Sequence, residues 1–161
     1  MASDEVRAGR VEGLHIASHA GGSIRQVDVV HAIPGVGLEG DRYALGLGHY
    51  SQDRRVSRDL TLIEGEVIDD LAFQLKTPID SGATRRNVTT LGIRLDSLVG
   101  KRFRIGTVLC EGTRICEPCQ YLVGLLGIPI LQGLVHRGGL RANILTEGYI
   151  RLGDSLVIKG F

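Results

Sequence analysis

The run Leu98-Val99-Gly100-Lys101-Arg102-Phe103-Arg104-Ile105-Gly106-Thr107-Val108-Leu109-Cys110-Glu111 sets the architecture. Phe103 and Ile105 alternate with Arg102 and Arg104, so one face is apolar and the other is charged. A period of two belongs to a half-buried β-strand, whose successive side chains point to opposite faces. Gly106 marks a turn, and Thr107 to Glu111 continues as a second short strand.

The same signature recurs outward in both directions. Upstream, Val11 to Ala17 reads as a strand. Arg25 to Ile33 reads as another, with Val27, Val29 and Ala32 facing inward, and the Gly21-Gly22 turn predicts a hairpin between them. Gly35 to Tyr43 makes a compact loop that presents Asp41-Arg42 as a fixed charge pair. Ala44 to Val56 is polar, glycine-rich and without period, which suits either a substrate loop or an ordinary surface insertion. Leu60 to Ile63 is a strand. In Glu64 to Leu75, Val67, Ile68, Leu71 and Leu75 fall at helical spacing, and Thr77-Pro78 ends that helix. Arg86 to Thr90 is extended. Downstream, Pro118 to Leu126 reads as a helix, Pro129 to Gly133 as packed core, and Leu140 to Leu145, Tyr149 to Arg151 and Ser155 to Ile158 as strands. Many short strands between glycine turns, with few helices, predict a mostly β fold that is a closed or strongly curled barrel. No stretch has linker composition, so residues 1–161 read as a single domain.

Composition narrows the function classes. Hydrophobic residues are 43% and charged residues 23%, with a net charge of +1 and no block of like charge, which argues against nucleic acid and membrane surfaces as partners. Aromatics are only 4% with no tryptophan, a poor basis for base stacking. No apolar run is long enough to span a bilayer, and Met1 to Arg10 lacks an apolar signal core. Three cysteines, Cys110, Cys116 and Cys119, do not make a secreted disulfide framework. A reducing, cytoplasmic setting is expected.

Reactive groups concentrate in Thr113-Arg114-Ile115-Cys116-Glu117-Pro118-Cys119-Gln120-Tyr121. Pro118 suits the first turn of a helix, and Cys119 then lies among the free amides of that turn. Those amides and nearby Arg114 favour a thiolate, which can attack sulfur, ligate a soft metal or carry a transferable sulfur. A structural zinc site would need four ligands, and only one such pair is present with scattered histidines. A thioredoxin-type dithiol expects parallel strands and long helices, a different context. Cys110, at the end of a strand, reads as a buried small hydrophobe. Arg85-Arg86-Asn87 forms a second polar cluster. Adjacent arginines on a strand point to opposite faces, so only one can line a pocket while the other faces water or a carboxylate, and by itself the cluster reads first as a solvated strand entry.

Gly40-Asp41-Arg42-Tyr43, Leu60-Thr61-Leu62-Ile63-Glu64, Arg85-Arg86-Asn87, Leu98-Val99-Gly100, Cys116-Glu117-Pro118-Cys119, Gly138-Gly139-Leu140-Arg141-Ala142 and Ile150-Arg151-Leu152-Gly153-Asp154 follow one another in order. This ordered set resembles the molybdenum-cofactor sulfurase C-terminal (MOSC) domain family in its stand-alone short bacterial form. The resemblance spans Val11 to Ile158. It implies a β-barrel holding the molybdenum cofactor, a molybdopterin, and a function in sulfur transfer or in reduction of N-hydroxylated compounds. It implies Cys119 as the functional cysteine, either a molybdenum ligand or a persulfide carrier, with Cys116 second. For the cofactor phosphate it implies Arg42, Arg86 and Arg85, with Asn87 and Asp41 for ring contacts and backbone positioning. Pyridoxal phosphate is not expected in this domain. Implied partners are a small-molecule or cofactor ligand and a sulfur donor or reductase protein. The chain departs from the family pattern at Asp59, where glutamine is common, and it lacks the accessory segments of the long reductases. A non-catalytic binding module of the same fold and a zinc-thiol protein are therefore the competing readings.

Overall fold

A computed structural model of the chain describes residues 5–47, 59–116 and 137–159. Eleven strands are β1 (Glu5–Ile16), β2 (Arg25–Gln26), β3 (Val29–Ile33), β4 (Gly37–Leu38), β5 (Leu60–Glu64), β6 (Val88–Leu91), β7 (Arg102–Ile105), β8 (Val108–Ile115), β9 (Leu140–Ile144), β10 (Gly148–Arg151) and β11 (Ser155–Lys159). One α-helix, α1 (Gly65–Leu75), and a short 3-10 turn (Leu95–Leu98) complete the described elements.

The main sheet runs β11-β7-β8-β9-β5-β6-β1, and β1 pairs again with β11, so seven strands close into a barrel. Closure removes the sheet edges that would otherwise present unpaired amides. The first strand serves both seams. Its start pairs with β11 and its end with β6, and register shifts at Arg7/Gly9 and Val11/Gly13 bend it between the two. Almost all pairs are antiparallel. The exception is β5 with β6, which run parallel and are joined through α1, as a parallel pair requires a crossover. β2 extends β1 at His15–Gln26 and Ile16–Arg25, while β10, β3 and β4 form a separate small sheet.

Alternation in β7 places Phe103 and Ile105 fully inside, with Arg102 exposed. They join Val11, Leu14, Leu60, Leu62, Val88, Leu98, Val108, Leu140, Ile144 and Leu156 in one core. Val30, Ala32, Leu38 and Ile150 of the small sheet belong to the same core, so that sheet packs on the barrel. On α1, Val67, Ile68 and Leu71 are buried, and the helix ends at Lys76 in a left-handed conformation.

Two expectations change. The hairpin forms only through the two residues of β2, because the chain then leaves β1 and pairs through β3 with β10. The break at Asp28 shifts the alternation, so Val30 and Ala32 face inward while Val29 is 45% exposed. The helix expected over Pro118 to Leu126 and the packed segment at Pro129 to Gly133 lie outside the described residues, as do Cys119 and most of the expected substrate loop.

Candidate functional site

Strand β8 delivers the chain to Cys116, which is buried at its end. The Cys116 amide donates to the Gly139 carbonyl at 2.7 Å. Cys116 and Gly139, which flank in sequence the segment that carries Cys119, therefore lie side by side. Gly139 is required there: its φ is +110°, and an added Cβ would collide with the Leu62 carbonyl oxygen.

Arg86 lies at this root. Its Nε donates to the Gly138 carbonyl at 2.8 Å and its Nη1 to the Thr84 carbonyl at 3.4 Å. The residue is only 9% exposed, and among the described residues its hydrogen bonds go to carbonyls and to no carboxylate. Arg85 takes another direction. Its backbone is left-handed at φ +64°, and its Nη1 donates to the Gly22 carbonyl at 2.8 Å. The two arginines part through this backbone turn, just before β6 begins at Val88, and not by strand alternation.

Asn87 knits the barrel above the arginines. Its Oδ1 accepts from the Thr61 amide and hydroxyl, both at 3.1 Å, its own amide donates to Thr61 Oγ1 at 3.0 Å, and its Nδ2 donates to the His15 carbonyl at 3.1 Å. Asp41 and Arg42 close the other side. Asp41 Oδ1 accepts from the Ala17 amide and from Arg42 Nη1, each at 3.1 Å. Arg42 Nη2 donates to the Arg85 carbonyl at 3.1 Å, and its guanidinium stands 5.0 Å from the Tyr43 ring centre. Asp41, Arg42, Arg85, Arg86 and Asn87 are thus one connected network, joined to Cys116 through the Gly138-Gly139 backbone. Arg114, expected beside the thiols, is exposed on β8.

Cys110 lies in the core. Burial, reinforced by the charge of Asp59, pushes its thiol up to about 12. Asp59, which stands where the resemblance leads one to expect glutamine, is structural in this chain: its Oδ2 accepts from the Gly35 amide at 3.1 Å and the Ile144 amide at 3.0 Å.

One feature had no sequence signal. A cavity of about 610 Å³ opens between the 21–26 and 80–85 turns, lined by His15, Gly22, Ile24, Asp80, Gly82 and Arg85 among others. His15 looks in β1 like any other strand residue, and only the fold brings Asp80 and Arg85 to it.

The described fold and network place the chain in a class of small closed β-barrels. The MOSC domain family matches residues 47–157, and the chain belongs to that family. Its fold is similar to YuaD from Bacillus subtilis (18% identity, TM-score 0.78, covering 98% of each chain). It is also similar to YiiM from Escherichia coli (20% identity, TM-score 0.67, covering 94% of this chain and 70% of that one). YiiM from Geobacillus stearothermophilus compares likewise (18% identity, TM-score 0.66, covering 97% and 75%). No curated protein sequence matches the chain.

Proposed function

We propose that this MOSC domain binds the molybdenum cofactor and uses Cys119 as its reactive thiolate, in sulfur transfer or in reduction of N-hydroxylated compounds. The observation that carries the reading is Arg86, a buried cation bonded to neutral carbonyls at the root of the Cys119 segment. A buried charge calls for a counter-charge, and a guanidinium is the group best matched to a phosphate. The residues fit an anionic, phosphate-bearing cofactor at that root, with Cys119 as the thiolate ligand and Arg86 as the phosphate partner. When bound, the cofactor would supply two-electron redox chemistry.

Arg42, Asp41 and Asn87 serve as positioning residues in this reading. Their hydrogen bonds hold the 80–87 turn, β5 and the end of β1 in one register around Arg86. Cys116, buried beside Gly139, anchors the segment. In sulfur transfer, a Cys119 persulfide passes its outer sulfur to an acceptor thiolate, and Cys119 returns as a thiolate.

Metal and pterin analysis of protein purified from a cofactor-competent host tests the cofactor, with native mass spectrometry before and after mild reductant as a second readout. Stoichiometric molybdenum and pterin, lost in Cys119→Ala and weakened in Arg86→Gln, are expected for the cofactor form. A reductant-labile addition of about 32 Da on Cys119 marks the sulfur-carrier form. Absence of molybdenum, pterin and added sulfur, with an unreactive Cys119, overturns the proposal.

A further inference from the structure

The small sheet of β10, β3 and β4 carries a charged cluster that shares no residue with the network around Arg86. His31 stands in the middle of β3, opposite Tyr149 of β10. On its other side β3 pairs with β4, which Glu39 follows directly, while Glu147 directly precedes β10. The sheet therefore brings a carboxylate to His31 from each neighbouring strand. Glu39 Oε2 lies 3.1 Å from His31 Nδ1, and Glu147 Oε2 lies 2.9 Å from Nε2.

This geometry depends on the proton count of the ring. A neutral imidazole has one N–H and one bare nitrogen, and a carboxylate only accepts. Between two carboxylates, the neutral ring can satisfy one and must turn a lone pair toward the other. Only the imidazolium donates to both. The hydrogen bond to Glu147, then that to Glu39, accordingly raises the His31 pKa above its ordinary value. The flanking β10 adds two more groups. Tyr149 stacks on the ring, with centres 4.7 Å apart and planes 18° from parallel, and gives the cation an aromatic face. Arg151, 5.6 Å from the centre of that same tyrosine, contributes a like charge that opposes protonation.

We propose that His31 is a proton-operated cross-tie: as imidazolium it joins Glu39 to Glu147, and loss of its proton releases Glu39 and loosens the connection that leads to Asp41 and Arg42. The remaining proton stays on Nε2, where the bond to Glu147 is the shorter, so Nδ1 becomes the bare nitrogen and faces the Glu39 carboxylate. The loosening has a short path to travel. The Glu39 amide donates to the His31 carbonyl at 2.9 Å, and the Asp41 amide donates to the Leu38 carbonyl at 2.9 Å. Gly40, left-handed at φ +87°, is the joint between Glu39 and Asp41. Asp41 then holds Arg42, which donates to the Arg85 carbonyl. The tie is present at low pH and lost as pH rises through the raised pKa. It is a property of the small sheet and holds whether or not a cofactor binds beside Arg86.

Nitrogen NMR of the imidazoles in the full chain, titrated from about pH 5 to pH 9, tests it on the unaltered protein. His31 is expected to titrate with a midpoint above about 6.5, both nitrogens carrying hydrogen below it and Nδ1 alone losing its hydrogen above it. Amide exchange, corrected for its intrinsic pH dependence, is the second readout. Protection of the Glu39 and Asp41 amides is expected to fall about threefold across the same midpoint, the scale of an exposed charged pair. Glu39→Gln, whose amide group accepts from the imidazolium and donates to the bare nitrogen, is expected to abolish that step. Glu147→Gln is expected to lower the midpoint further than Glu39→Gln does. A midpoint at or below about 6.5, loss of hydrogen from Nε2 in place of Nδ1, or a protection step that persists in Glu39→Gln overturns the proposal.

Discussion

Arg42 reaches across 43 residues of sequence to donate from Nη2 to the Arg85 carbonyl oxygen at 3.1 Å. Its Nη1 meanwhile holds Asp41, so one side chain fastens the 39–47 loop to the turn that parts Arg85 from Arg86. Arg42→Ala would leave Asp41, 2% exposed, as a buried carboxylate without its cation. Breaking a buried pair in this way costs about 3–5 kcal/mol. Urea unfolding of the variant is the check, and a loss below about 1 kcal/mol would place the pair among ordinary surface contacts.

The Thr61–Asn87 exchange is the second structural joint. Asn87→Ala removes acceptors from the Thr61 amide and hydroxyl and a donor from the His15 carbonyl, all inside the barrel. Each buried polar group left unsatisfied costs about 1–3 kcal/mol. Asn87→Ala should therefore destabilise by about 3 kcal/mol, and more than Asn87→Asp, which keeps the acceptor. Comparison of denaturation midpoints with unchanged slopes tests the ranking.

Two histidines should give opposite pH dependences. His31 lies between Glu147 Oε2 at 2.9 Å and Glu39 Oε2 at 3.1 Å and stacks on Tyr149, with ring centres 4.7 Å apart. The hydrogen bond to Glu147, then that to Glu39, raises its pKa above the ordinary 6.5. Its stabilisation is therefore full below about 6.5 and is lost as pH rises through the raised value. Burial lowers the pKa of His15, so its neutral form favours folding above about 6.5, and that advantage is lost as pH falls through the lowered value. Thermal midpoints across this range should lose their alkaline decline in His31→Gln and part of their acid decline in His15→Gln. Unchanged profiles would show that neither ring titrates with folding.

Cys110 should be chemically silent. With its thiol pushed up to about 12 by burial and by Asp59, almost no thiolate exists near neutral pH. Timed alkylation followed by mass spectrometry should label Cys110 only after unfolding. Rapid labelling in the native protein would contradict the packing of β8.

The barrel was legible because strand periodicity is local. Arg102 and Arg104 outside, with Phe103 and Ile105 inside, need no tertiary information, and neither do Val67, Ile68 and Leu71 on α1. The inward face of β3 was legible only in part: Ala32 is buried as expected, but the break at Asp28 turns Val29 outward and Val30 inward. The polar network was visible as residue types but not as bonds. Adjacent Arg85 and Arg86 suggested opposite faces, yet a left-handed backbone parts them, and that conformation in an arginine has no reliable sequence mark. The cavity around His15 was invisible because it depends on Gly82 meeting a residue 67 positions away, a contact only the closed barrel creates.

Glu5 of β1 sits in register with Lys159 of β11, so the two ends of the barrel's strand order are neighbours across one seam. A short glycine-serine bridge between them would turn the linear chain into a ring without stretching any strand. New termini could then be opened in an exposed turn such as Gly35-Val36, making the protein a natural host for circular permutation. In such a rearranged chain the seam between first and last strands would become an internal hairpin. The slowest closure, which now joins the most distant residues in sequence, would become one of the fastest.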